Sequence, residues 1–362
     1  MVGIPGPVYI HIHNMLSWSR KHNRKEDLMS KIKRALSLVM SVLLVLTPMV
    51  FMPSCTVRTG QDTGLNSLEE LEQHNDVLHF QEYKVDHERL QGMERTTIAL
   101  RADFHEYVEY TNARSYPSIP ADDVLWYHIR YQSGEEEVGG YVCAPTDYLE
   151  KNYPVLVYNT GGGGLKASNV QYSARFGFIV LASAYRGGGL GSTGKDGYGG
   201  EDVNDVIKLI NFAEEFTFTN GKMYMFGWSR GGMETYNVLS RDDRIDAAVA
   251  GAGPTNLTKF YDEFVDNRRE ERFHGYIGGP PETHPKEYEA RSAVCWPEKI
   301  NTPLWIVHGT ADTEILAHHS EDLYNAMNAL GKDVKLTLYP GMDHTDPLWA
   351  FLPDYFYWLK QH

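Results

Sequence analysis

An α/β fold, with a mostly parallel central sheet flanked by helices on both faces, is the architecture predicted for residues 123–362. Three observations lead to it. Strand-like and helix-like stretches alternate from Leu125 onward. The strand-like stretches are short and largely apolar, as expected of strands buried on both faces. The 362 residues, 42% apolar and 12% aromatic, are enough to fill a large core.

The elements follow in order. "LWYHIRYQS", "EVGGYVCAP", "YPVLVYNT" and "FIVLASAY" read as strands, and "DVNDVIKLINFAEEF" as a helix. "KMYMFG" is a strand, a helix follows Gly232, and "AAVAGAG" is a strand again. "NLTKFYDEFVDNRREERFHGYIGGPPETHPKEY" reads as a small helical cap, whose Phe260, Tyr261, Phe264 and Tyr276 are candidate pocket aromatics, although such residues more often pack as core. Two strands, "TPLWIVHG" and "VKLTLY", complete the sheet, with the helix "AHHSEDLYNAMNALGK" between them.

The N-terminal part reads differently. Lys31, Lys33 and Arg34 precede the apolar run "ALSLVMSVLLVLTPMVFM", which ends at Ser54-Cys55; a basic, apolar and small-residue series of this kind is an export signal. Cys55 after a small residue is a candidate lipidation site, so the expected location is periplasmic or cell-surface, with membrane contact only through that anchor. On this reading residues 1–28 precede the true start at Met29, 29–55 form the signal, and 56–122 form a polar accessory region with an acidic helical piece and no strong strand repeat. Cys143 and Cys295 sit in apolar company and read as buried free thiols. No metal spacing exists among the cysteines, and no metal or cofactor is expected. A formal net charge of −14 argues against nucleic acid as a partner, which needs clustered Lys and Arg.

The chemistry centres on Gly227-Trp228-Ser229-Arg230-Gly231, a G-x-S-x-G turn between a strand and a helix. In α/β-hydrolases this turn lifts a nucleophilic serine off the end of a strand, and an acid and a histidine follow on the loops of later strands. Asp312 and His344 stand in that order, each just after a strand, and parallel strands bring their C-terminal ends together with Ser229. His308 lies within its strand and reads as a packed core histidine; His318 and His319 begin a helix and read as solvated; Asp343 reads as exposed. A serine hydroxyl is a weak nucleophile, so His344 takes its proton and Asp312 fixes the imidazole tautomer. The oxyanion is expected to lie against the backbone N–H of Arg230 and one from Gly161 or Gly162.

A competing motif, "GLGSTGKD", places Gly189, Gly194 and Lys195 almost as a phosphate-binding loop. Asp196 stands where Ser or Thr would reach magnesium, Glu201 and Asp202 oppose phosphate, and the helix starts too late, so a flexible surface loop is the expectation.

From about Leu125 to the end the chain resembles the catalytic domain of the prolyl oligopeptidase family of serine peptidases. The resemblance rests on "GWSRGG", "AYRGGGLGSTG", "GGEDVNDV", "YEARSAV", "INTPLWIVHGTADTEI" and "YPGMDH". It implies a peptide substrate, with esters, including acyl groups on carbohydrates, as the alternative and a non-catalytic binding lipoprotein as a reading of another class. Thr160, Tyr185 and Trp228 are candidate substrate contacts. The chain departs from the family pattern in three places. Thr160 stands where the family carries a side-chain oxyanion donor, and Arg230 replaces the usual tyrosine. The stretch between Cys55 and Asp123 is too short for the β-propeller that covers many members.

Overall fold

A computed structural model of the protein describes residues 64–83, 118–264 and 267–362. Among the described residues nine strands form one sheet: β1 (Val77–Tyr83), β2 (Val124–Ser133), β3 (Glu136–Pro145), β4 (Val155–Asn159), β5 (Ile179–Ser183), β6 (Met223–Trp228), β7 (Ala247–Gly251), β8 (Leu304–Gly309) and β9 (Val334–Tyr339). Their order is β1-β2-β3-β5-β4-β6-β7-β8-β9. From β5 to β9 the neighbours are parallel, and β1, β2 and β3 extend the sheet antiparallel. Every side chain of β4 to β8 is buried, as the unbroken apolar runs require of strands covered on both faces.

The helices are α1 (Ala167–Ala174), α2 (Val203–Glu214), α3 (Arg230–Leu239), α4 (Leu257–Phe264), α5 (Asn267–Ile277), α6 (Pro285–Ala290), α7 (His318–Ala329) and α8 (Asp346–Leu359). Leu209 and Phe212 of α2, Tyr236 of α3 and Leu323 of α7 belong to one core cluster. Val170 of α1 and Tyr355, Phe356 and Leu359 of α8 belong to a second. The chain runs from β4 outward to β5 and then crosses back to β6 on the other side of β4. Such a reversal opens a crevice at the C-terminal strand ends, which is where open α/β sheets bind ligands. The loops after β4 and β6 therefore meet.

The expected cap is present as α4 to α6. Leu257, Phe260, Tyr261, Phe273, Ile277 and Tyr288 form its own small core, which also takes in Met233 of α3 and Ile315. Phe260 and Tyr261 are thus packing residues rather than pocket lining, and the side chain of Phe264 lies outside the described residues.

Two further expectations are revised, and a third falls outside the described residues. Residues 77–83 form an edge strand paired with β2, and Leu65, Leu68 and Leu71 are buried in the main core, so the described part of the 56–122 region is continuous with the catalytic sheet. Glu69 fastens it, accepting hydrogen bonds from Tyr127 (2.7 Å) and Tyr148 (2.9 Å). Cys143 is a buried thiol as expected, but Cys295 is exposed, at the end of a short 3₁₀ turn. Cys55, Met29 and the whole signal-like segment lie outside the described residues. Among the described residues no helix is long and apolar enough to cross a membrane.

Candidate active site

Ser229 sits between β6 and α3 with φ 59° and ψ −126°, a strained left-handed conformation that a side chain adopts only where its surroundings enforce it. Its N–H donates to Gly251 O at 2.8 Å. The flanking glycines make room for the turn. A Cβ on Gly227 would lie 2.0 Å from Gly231 O, and one on Gly231 would lie 2.2 Å from Asn159 O. Any side chain there would push strand and helix apart.

The strand ends bring three side chains into line. Ser229 Oγ is 2.9 Å from His344 Nε2, and His344 Nδ1 is 2.7 Å from Asp312 Oδ2. Nδ1 faces a carboxylate, so it carries the imidazole hydrogen and leaves Nε2 free to accept from the serine hydroxyl. Asp312 Oδ1 receives the N–H groups of Glu314 (2.8 Å) and Ile315 (2.9 Å). Burial alone would raise the Asp312 pKa, but the hydrogen bonds from His308 and His344 and the charge of His344 outweigh it and hold the carboxyl well below its usual range.

Around this line the expected residues take different places. The Arg230 N–H belongs to the first turn of α3, where helix N–H groups have no partner within the helix. A Cβ on Gly161 would lie 3.6 Å from Ser229 Cβ, whereas one on Gly162 would meet nothing within 4 Å, so Gly161 is the glycine packed against the serine. Thr160, Tyr185 and Trp228, the candidate substrate contacts, point into the protein and hydrogen-bond within it. All three are buried. Thr160 Oγ1 donates to Gly164 O (2.9 Å), Tyr185 Oη to Thr160 O (3.2 Å), and Trp228 Nε1 to His344 O (2.9 Å). They brace the site from behind.

The glycine-rich loop is pinned rather than free. The Arg230 guanidinium donates to both oxygens of Asp196 (2.6 Å each) and to Asp202 Oδ2 (2.8 Å). It also lies over the rings of Tyr185 (4.7 Å) and Tyr198 (5.0 Å), and Tyr198 stacks on Tyr276 of the cap. Burial disfavours the charge on Arg230, but Asp202 and Asp196 more than offset this and hold its pKa above the ordinary value. The residue that departs from the family pattern thus ties the loop to α3. Two carboxylates committed to an arginine leave no cradle for phosphate. Sequence reading missed this cluster because its acids were weighed only against phosphate.

His308 is buried as expected, yet its Nε2 is 3.0 Å from Asp312 Oδ2, a contact that strand periodicity does not reveal. Asp343 is exposed. His318 and His319 are not simply solvated, and His319 is fully buried. His318 Nε2 is 2.6 Å from Glu263 Oε1, and His319 Nε2 is 3.3 Å from Glu263 Oε2. These three residues could together hold a metal ion. A ligating histidine usually donates its other nitrogen to an acceptor. Here His319 Nδ1 faces the Thr255 N–H (3.3 Å) and His318 Nδ1 faces the Lys259 ammonium (3.1 Å). Both Nε2 atoms therefore carry hydrogen toward Glu263, and the cluster works as a clamp between α4 and α7.

The model of the prolyl oligopeptidase family (peptidase S9) matches residues 164–355. An uncharacterised peptidase of Bacillus subtilis, YtmA, is 28% identical over 240 residues, covering 65% of this chain and 91% of that protein. Dipeptidyl-peptidase 5 of Porphyromonas gingivalis is 27% identical over 233 residues, 59% of this chain but only 33% of its own length. In fold, the chain is similar to the acylaminoacyl peptidase of Pyrococcus horikoshii, with a TM-score of 0.55 at 19% identity over 65% of this chain and 40% of that one.

Proposed function

This chain belongs to the prolyl oligopeptidase family of serine peptidases, and from that premise we propose that it cleaves peptide bonds through Ser229, His344 and Asp312 by way of an acyl-enzyme. The observation that carries the reading is the hydrogen-bonded line from Ser229 Oγ through His344 to Asp312, starting at a residue with positive φ.

The steps follow from that geometry. Ser229 Oγ attacks the carbonyl carbon as its proton passes to His344 Nε2, and the imidazolium formed is stabilised by the Asp312 carboxylate. The oxyanion is held by the N–H groups of Arg230 and Gly161; one such donor is typically worth roughly 3 kcal/mol. The C–N bond breaks, the amine leaves with the proton from Nε2, and an ester to Ser229 remains. Water, deprotonated by the same Nε2, then attacks this ester, and Ser229 recovers its proton as the acid product departs. Backbone donors make Thr160 dispensable as an oxyanion partner.

The substrate class proposed is small peptides. Turnover of p-nitroanilide peptides above that of p-nitrophenyl esters matched for the acyl group, relative to their intrinsic reactivity, supports it; ester-only turnover replaces it with esterase action. The reading also includes export with a mature N-terminus at Cys55, to be tested by intact mass of the processed chain. A fluorophosphonate probe tests the mechanism itself. It should label Ser229 in the wild type and not in Ser229→Ala, which should stay folded and lose nearly all turnover. Equal labelling of both proteins means that the nucleophile is elsewhere.

A further inference from the structure

Asp312 Oδ2 is approached by two imidazoles, His344 Nδ1 at 2.7 Å and His308 Nε2 at 3.0 Å. His308 is fully buried on β8, four residues before the acid. Its Nε2 also lies 2.8 Å from Ile315 O, so it faces two acceptors and must carry the ring hydrogen. Its Nδ1 is then an acceptor and takes the hydroxyl of Ser320 at 2.7 Å. Ser320 sits in the first turn of α7, so the ring is held from both sides and cannot turn away from Asp312. The other oxygen, Oδ1, already receives two backbone N–H groups. Oδ2 is therefore the oxygen that faces His344, and His308 shares it.

We propose that His308 is a positioning residue for the general base: its Nε2–H, shared between Asp312 Oδ2 and Ile315 O, fixes the direction of Oδ2 and moderates its pull on the His344 hydrogen. A donor placed on a carboxylate oxygen draws electron density from it and weakens its hold on a second donor. Without His308, Oδ2 would hold a protonated His344 more tightly and would be less well aimed. The base would stay protonated to higher pH, and the proton transfer from Ser229 would slow. The charged and titratable groups around the two rings are few. Asp312 and the exposed Glu314 (3.9 Å from His344 Nε2) face the His344 ring, and Asp343 accepts the backbone N–H of His344. Asp312 and His319 face His308.

The inference rests on the Ser229–His344–Asp312 reading, and the experiment separates the two. Ser229→Ala is measured first: retained turnover removes that reading, whatever His308 does. With Ser229→Ala inactive, His308→Leu should lower kcat about tenfold at neutral pH with little change in KM, since misdirection of a reacting group acts on the chemical step. The acid limb of its kcat/KM profile should move up by roughly one pH unit, the scale on which one hydrogen bond to a carboxylate acts. His308→Gln, whose amide N–H reaches the same oxygen, should return the limb toward the wild-type position. A fall in kcat with the limb unmoved in both variants would assign His308 to packing alone and overturn the proposal. If His308→Leu does not fold, the wild-type enzyme decides: the low-field proton resonance of His308 Nε2–H should shift in step with titration of His344. A resonance that stays fixed through that titration overturns the proposal equally.

Discussion

Arg230 and Asp196 face each other as a bidentate pair, Nη1 to Oδ2 and Nη2 to Oδ1, both at 2.6 Å. One partner follows Ser229 directly and the other ends the glycine-rich loop, so the pair sets how that loop lies beside the serine. Planar fork-to-carboxylate contact of this kind is strong and directional.

Removing one side of the pair leaves a buried charge without its counterpart, which typically costs about 3–5 kcal/mol. Arg230→Met should therefore destabilise the protein by an amount of that order in urea unfolding, and Asp196→Ala by somewhat less, because Asp202 still holds the guanidinium. Both variants should also lose turnover as the loop loosens. Lys195→Ala, one residue away but exposed, should keep its rate within a few fold, and micromolar ATP binding that depends on Lys195 would restore the nucleotide reading.

The edge of the sheet carries a second expectation. Leu68 and Leu71 are fully buried in the main core although they lie more than fifty residues before β2. Leu68→Ala and Leu71→Ala should each cost about 2–5 kcal/mol, the range for emptying a leucine site in a core. They should leave kcat/KM unchanged at temperatures where the variants are folded, since both lie far along the sheet from the strand ends that carry Ser229. Stability at the wild-type level would mean that residues 64–83 do not pack as described.

What was legible in the sequence follows a physical pattern. β4 to β8 are buried on both faces, and Ser229, Asp312 and His344 lie just after β6, β8 and β9 in that order, so periodicity and chain order were sufficient to find strands and candidate triad together. β1 escaped notice because "VLHFQEY" is an edge strand without apolar/polar alternation, with Leu78 exposed beside Gln81 and Glu82, and its role depends on pairing with a partner more than forty residues away. Arg230, His308 and His319 were misjudged or undervalued for a different reason. Their meaning lies in partners brought by other loops: Asp196, Asp312 and Glu263. Residue type and local spacing carry no information about such contacts.

His319 gives a pH dependence with a definite sign. Burial, then the neighbouring His318, His308 and Lys259, push its pKa down to about 3. An unfolded histidine titrates near 6.5. Between those values the unfolded chain binds a proton that the folded chain refuses, so this residue's contribution to stability is complete above about pH 6.5 and is lost as the pH falls below it. The urea midpoint should drop between pH 7 and pH 5, and His319→Gln should show a smaller drop from its own pH 7 value. Parallel pH profiles in the two proteins would show that His319 charges freely in the folded state.

The acid of the triad offers the last test. Four donors converge on Asp312: His344 and His308 on Oδ2, and the N–H groups of Glu314 and Ile315 on Oδ1. The backbone donors fix which oxygen faces His344. In Asp312→Asn the amide oxygen can satisfy those two N–H groups only by turning its NH₂ toward His344. Nδ1 must then become the acceptor and Nε2 the bearer of hydrogen. That is the wrong tautomer for taking a proton from Ser229, and turnover should fall roughly 10⁴-fold while the fold survives. Circular dichroism and a urea melt check the fold, and single-turnover kinetics with a p-nitroanilide peptide check the rate. The turned amide also meets the Nε2–H of His308, which then keeps only Ile315 O as an acceptor, and a modest loss of stability should accompany the loss of rate. A variant within tenfold of wild-type turnover would show that Asp312 does not set the tautomer of His344.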